Sequence, residues 1–103
     1  MSKPLVVSIP HHLGKDEALR RIRTGLGAVR QNYAQLITVD EEVWTGDHLD
    51  FRVRSLGQVA QGAIDVEADQ VRVEVTLPWL LSYVAEKLTP LIRKEGVLML
   101  EKK

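Results

Sequence analysis

Three groups of residues have the types and spacing that chemistry needs. The first is His11-His12, two adjacent imidazoles ahead of a helical segment. A metal site needs three or four converging ligands, and adjacent side chains point apart, so this pair reads as local structure. The second is Asp47-His48-Leu49-Asp50, where two carboxylates flank an imidazole. The third appears when the strands are set in register and brings His48, Asp65 and Arg72 into one row. Histidine beside a carboxylate can act as a poised base. No nucleophile shares that row, however. Ser8, Ser55 and Ser82 lack the G-x-S-x-G and S-x-x-K contexts, and no glycine-rich phosphate loop is present. Turn chemistry and cross-strand charge pairing, worth a fraction of a kcal/mol, account for both His48 groupings. The expectation is no catalytic residue, no cofactor and no metal.

Two further sets concern binding. Arg20, Arg21, Arg23 and Arg30 lie on the first helical segment and are candidate contacts for an anionic partner. Nucleic acid would require a broader basic field with aromatic or motif support, so a solvated helix face is the plainer account. The second set is apolar. Trp79 and Leu80 follow Pro78 directly, Val97-Leu98-Met99-Leu100 lies near the end, and Trp44 precedes a turn. Core anchoring is their default role, and an exposed contact patch is the alternative.

The elements that must position these groups follow from periodicity. Leu5 to Ile9 is a short strand closed by Pro10. Gly14 offers an N-cap to a helix of about 17 residues, with Asp16 and Glu17 in the first turn, where the dipole favours negative charge. Ala18, Leu19, Ile22, Leu26 and Val29 form its buried stripe. Asp16–Arg20 and Glu17–Arg21 are i,i+4 pairs. Gly25 and Gly27 each cost the helix about 1 kcal/mol relative to alanine, which implies close packing or a kink.

Residues 36–77 read as four strands. Val71, Val73, Val75 and Leu77 alternate with Arg72, Glu74 and Thr76. A turn at Glu67-Ala68-Asp69-Gln70 sets Val66 opposite Val71, Ile64 opposite Val73 and Gly62 opposite Val75. A turn at Ser55-Leu56-Gly57-Gln58 sets Val53 opposite Ala60, Phe51 opposite Gly62 and Leu49 opposite Ile64. One face is then apolar and the other polar, and a slip of one residue would reverse them. Asp40-Glu41-Glu42 breaks the alternation in the preceding strand, which leaves the facing of Trp44 open. From about Trp79 onward Leu81, Val84, Leu88, Leu91/Ile92 and Leu98 keep helical spacing. A kink or break is expected at Pro90, and Gly96 is a second weak point. The expected fold is α+β: one antiparallel sheet, order β-α-β-β-β-β-α, with two helices on one face, like a shortened helix-grip domain.

Composition agrees with a single domain over residues 1–103. The chain has no cysteine, which removes thiolate, redox and Cys-ligated metal chemistry, and 45% apolar residues. That suffices for a core without a staple. The N-terminal apolar run is too short for a signal peptide, and no stretch approaches the ~18 apolar residues of a membrane span. A cytoplasmic protein is expected.

The segment Ser8-Ile9-Pro10-His11-His12-Leu13-Gly14 with Glu17-Ala18 resembles the start of the small polyhydroxyalkanoic acid system proteins. So do Trp44-Thr45-Gly46-Asp47 with Leu49 and Phe51, the Val71-Arg72-Val73-Glu74-Val75 strand, and Leu77-Pro78-Trp79-Leu80-Leu81. The resemblance runs from about residue 6 to residue 95. Asp40-Glu41-Glu42 and the tail from Gly96 fit it less well. It implies a bacterial accessory protein of storage-polyester synthesis that binds a protein of that system or the polyhydroxyalkanoate granule surface, and it carries no catalytic set. Three other readings stay open. A small hydrophobic ligand could sit between the sheet and the last helix, and an enzyme could use His48 and Asp65 beneath a cleft. A homo-oligomer could form through an edge strand or the C-terminal apolar run.

The formal charge is zero, with 14 Lys+Arg against 14 Asp+Glu, but it is segregated. Residues 1–34 hold six basic and two acidic residues, 35–70 hold two and eight, and 71–103 hold six and four. A basic helical side and an acidic hairpin edge are expected, partly neutralised by pairs such as Asp65–Arg72.

Overall fold

The computed structural model describes residues 4–55, 57–77 and 85–101. The chain runs β1 (Pro4–Pro10), α1 (Lys15–Asn32), β2 (Thr38–Thr45), β3 (His48–Ser55), β4 (Gln58–Val66), β5 (Gln70–Thr76) and α2 (Ala85–Glu101). This is the expected α+β order. The start proposed for the last helix, at Trp79, lies outside the described residues.

Five strands form one antiparallel sheet in the order β1-β5-β4-β3-β2. Period-2 alternation and turn length set the register of the central strands as anticipated. Val66 pairs with Val71, Ile64 with Val73 and Gly62 with Val75. Leu49 pairs with Ile64, Phe51 with Gly62 and Val53 with Ala60. Gly46 and Gly57, at φ 63° and 77°, supply the left-handed residue that tight hairpin turns require. β1 adds beside β5, with Leu5, Val7 and Ile9 opposite Val75, Val73 and Val71.

The irregularity in β2 is a bulge. Val39 pairs with Val53 and the next pair is Glu41 with Arg52, so Asp40 is the extra residue. The bulge shifts parity. Glu42 and Trp44 now pair with Phe51 and Leu49 and share their inner face, while Val43 turns outward and is exposed.

β1 and β2 sit at opposite edges, so α1 must carry the chain across the inner face. Its 18 residues reach about 27 Å, enough to cross four strand spacings of ~4.8 Å. The helix starts where Gly14 accepts a hydrogen bond from the Ala18 amide at 3.1 Å. Ala18 and Ile22 bury against Val7, Ile9, Leu49, Ile64, Val66, Val71, Val73 and Val75, with Leu100 of α2 in the same core.

α2 lies against β1 and α1. It continues through Pro90 and Gly96 without interruption, so of the expected kink or break at Pro90 the break does not occur. Pro90 lies in the second described turn, where it removes one backbone bond, to the Glu86 carbonyl. Half-buried Ile92 and Val97 and buried Leu100 fix the helix beyond that point. Gly25 and Gly96 serve close packing: a Cβ on either would overlap Met99 and Ile9 respectively. Leu91 is 39% exposed, and Ile92 takes the core position that these adjacent residues could each have filled.

Candidate functional site

The outer sheet face carries the predicted polar rows. His48 pairs with Asp65 across β3–β4, and Asp65 with Arg72 across β4–β5. The side chains, however, group differently from the strands. Asp65 accepts from His48 Nδ1 at 2.5 Å, and Asp50 accepts from Nε2 at 3.0 Å. Arg72 instead reaches Glu74 at 3.4 Å. Short-range geometry decides this, since Asp65 lies between two cations and the imidazole is the closer. Only the doubly protonated ring donates from both nitrogens. The hydrogen bond to Asp65, followed by that to Asp50, raises the His48 pKa above that of a free histidine. An imidazolium held this way has no lone pair with which to accept a proton.

A pH dependence follows. The folded-state pKa is raised, so the stabilisation from this cluster is complete below about pH 6.5, the unfolded value. It is lost as pH rises through the folded value. Chemical denaturation of wild type and His48→Gln across this range should show a stability gap that closes on the alkaline side. A gap that widens with pH would contradict the assignment.

His11, by contrast, is buried. Its Nδ1 accepts from the Leu13 amide at 3.1 Å and its Nε2 donates to the Glu67 carbonyl at 3.0 Å. Its own amide donates to the Asp69 carbonyl at 2.9 Å. This side chain ties the β1–α1 turn to the β4–β5 turn, the local structural role read from the sequence. Among the described residues no group of three His, Asp or Glu side chains could hold a metal ion.

The four helix arginines are engaged inside the molecule. Arg20 and Arg21 both reach Glu17, at 2.7 and 2.8 Å, in place of the expected Asp16–Arg20 pair. Arg20, then Arg21, holds the Glu17 carboxyl down at about 2. Arg21 also donates to the Leu100 carbonyl of α2. Arg23 lies 4.8 Å from the Trp44 ring centroid and donates to the Gly46 carbonyl at 3.3 Å. Arg30 meets Glu42 at 2.5 Å, and Lys15 meets Asp47 at 2.9 Å. Two ion pairs, Arg30–Glu42 and Lys15–Asp47, thus join the basic helix to the acidic hairpin segregated from it in sequence. An open groove of about 330 Å³ between them is lined by Arg30, Val39, Asp40, Glu41 and Glu42. Its acids are matched by Arg54 at 3.0 Å, Arg52 at 3.6 Å and Arg30. This groove is not the pocket between sheet and last helix that a hydrophobic ligand would need.

The apolar candidates divide. Trp44 is half-buried, and Arg23 lies over its ring. Val97 and Met99 pack on the core and Leu100 is 4% exposed, so these three serve the interior. Trp79 and Leu80 lie outside the described residues. Leu98 alone of the C-terminal run stands out, at 50% exposure. The reading of that run as one patch missed its periodicity. Leu91, seven residues earlier, shares Leu98's face. Lys87 and Lys94, also seven apart and both exposed, line the same face. The signal was present as i,i+7 spacing.

Among the described residues no helix is long and apolar enough to cross a membrane. No protein of curated function matches the chain. Residues 5–97 match a family described as "putative polyhydroxyalkanoic acid system protein". This is close to the span over which the resemblance was read, and it includes the bulged Asp40-Glu41-Glu42 segment that fitted it less well. With that match over most of its length, the chain belongs to the polyhydroxyalkanoic acid system protein family.

Proposed function

We propose that this chain is a non-enzymatic accessory protein of the polyhydroxyalkanoate system, acting in the cytoplasm by binding the surface of storage granules. The observation that carries the reading is the outward face of α2. There Leu91 and Leu98 stay exposed on a helix whose opposite side is packed against β1 and α1. Family membership supplies the setting. The His48 row lends no support to a catalytic alternative, because both nitrogens of its imidazole are held by carboxylates. A ligand cavity finds no support at the glycines, where Phe51 fills the space over Gly62 and Met99 that over Gly25.

Binding of purified protein to isolated granules tests the proposal. Wild type should co-sediment with the granules, and the double variant Leu91→Ser with Leu98→Ser should remain in the supernatant at least tenfold more. If wild type stays in the supernatant, or the variant sediments equally, the proposal fails.

A further inference from the structure

The described residues include eleven Lys and Arg side chains. Eight of them have anionic or carbonyl partners within the fold: Lys15 and seven arginines on α1 and the sheet. The remaining three, Lys87, Arg93 and Lys94, are all exposed and all on α2. Among the described residues none of the three has an ion-pair partner. Among the described residues the cations free to meet an external anion are therefore all on the helix that also exposes Leu91 and Leu98.

Their arrangement is specific. At 100° per residue, Leu91 and Leu98 fall within about 20° of one another and form one column. Lys87 and Lys94 form a second column beside it, each four residues before a leucine. Both columns repeat at about 10.5 Å along the axis. Two straight columns, one apolar and one cationic, suit a plane better than a pocket. The leucines can enter the apolar layer while the lysine stems reach up to its charged headgroups. A protein interface of ordinary strength would centre on aromatic or arginine anchors in a recess, and among the described residues this face has neither. Only one carboxylate, Glu101, lies on the lysine flank of the stripe.

We infer that the outward face of α2 docks on an anionic lipid surface, with Lys87 and Lys94 meeting headgroup charge and Leu91 and Leu98 entering the acyl boundary. The inference rests on the surface-binding reading above and specifies the chemistry of the surface. Co-sedimentation of the full chain uses three probes: phosphatidylglycerol-containing vesicles, pure phosphatidylcholine vesicles, and lipid-free polyester particles. Wild type should bind the anionic vesicles, release in high salt, and leave the neutral vesicles alone. Lys87→Gln with Lys94→Gln should weaken anionic-vesicle binding about thirtyfold, and circular dichroism should confirm that the variant is folded. Binding to lipid-free polyester but not to anionic vesicles would overturn the inference and leave the granule reading intact. Binding to the vesicles but not to isolated granules would uphold the inference and remove the granule reading. Equal binding to anionic and neutral vesicles, or no loss in the lysine variant, would overturn it.

Discussion

Gly62→Ala should destabilise the protein by about 3 kcal/mol or more, read as a drop in the urea midpoint at unchanged slope. The reason is space on both sides of the strand. A Cβ on Gly62 would overlap the Phe51 ring and stand 2.6 Å from the Glu74 carbonyl oxygen. The ring can move at the typical overpacking cost of about 1–3 kcal/mol. The carbonyl belongs to β5, paired with β4 and β1 on its two sides, and cannot yield without disturbing both ladders. Phe51→Leu in the same background should therefore recover only the ring's share. Full recovery would show that the backbone approach is unimportant, and a loss below about 1 kcal/mol in the single variant would show that the sheet yields easily.

The second prediction concerns a contact that can be repaired. Gly96→Ala places a methyl group on Ile9 Cδ1 and should cost about 2 kcal/mol. Ile9→Val removes that Cδ1 and should cost about 1 kcal/mol alone, as deletion of a buried methylene group does. Together they should nearly cancel. Once Cδ1 is gone, the nearest Ile9 atom to the new Cβ is Cγ1 at 3.4 Å, an ordinary contact. Alanine also returns about 1 kcal/mol of helix propensity. Thermal unfolding of the two single variants and the double variant forms a cycle with a coupling of 2 kcal/mol or more in favour of the pair. Simple additivity would mean that α2 does not sit on β1 through this contact.

Much of this architecture could be read from local patterns. The rows from Leu49 to Val75 followed from alternation plus two turn lengths, because a side-chain period of two leaves one register that turns Leu49, Phe51, Val53, Ile64, Val66, Val71, Val73 and Val75 to the same inner face. Three features were not legible. The place of β1 beside β5 depends on a partner over sixty residues away, and no local spacing encodes it. The facing of Trp44 depended on a one-residue bulge at Asp40, which the same acidic triplet would permit or omit. Helical spacing leaves the inward residue open between Leu91 and Ile92, neighbours only 100° apart, and packing against β1 and α1 settles which of them turns inward. As for the candidate site, the residue types were visible but their partners were not. Arg30–Glu42 and Lys15–Asp47 join segments that meet only when α1 crosses the sheet.

That crossing also sets an order of assembly. The hairpins from β2 to β5 close over a few residues each, whereas pairing Leu5 with Val75 closes a loop of about seventy. The added chain entropy is roughly 2.5 kcal/mol beyond that of a four-residue turn, so β1 should join late. Until it does, β5 is a bare margin, with Val71, Val73 and Val75 already aligned to accept a strand. A newly made chain is thus most open to exchange with a neighbouring copy at this side until β1 pairs along β5, where His11 then ties the end of β1 to the β4–β5 turn.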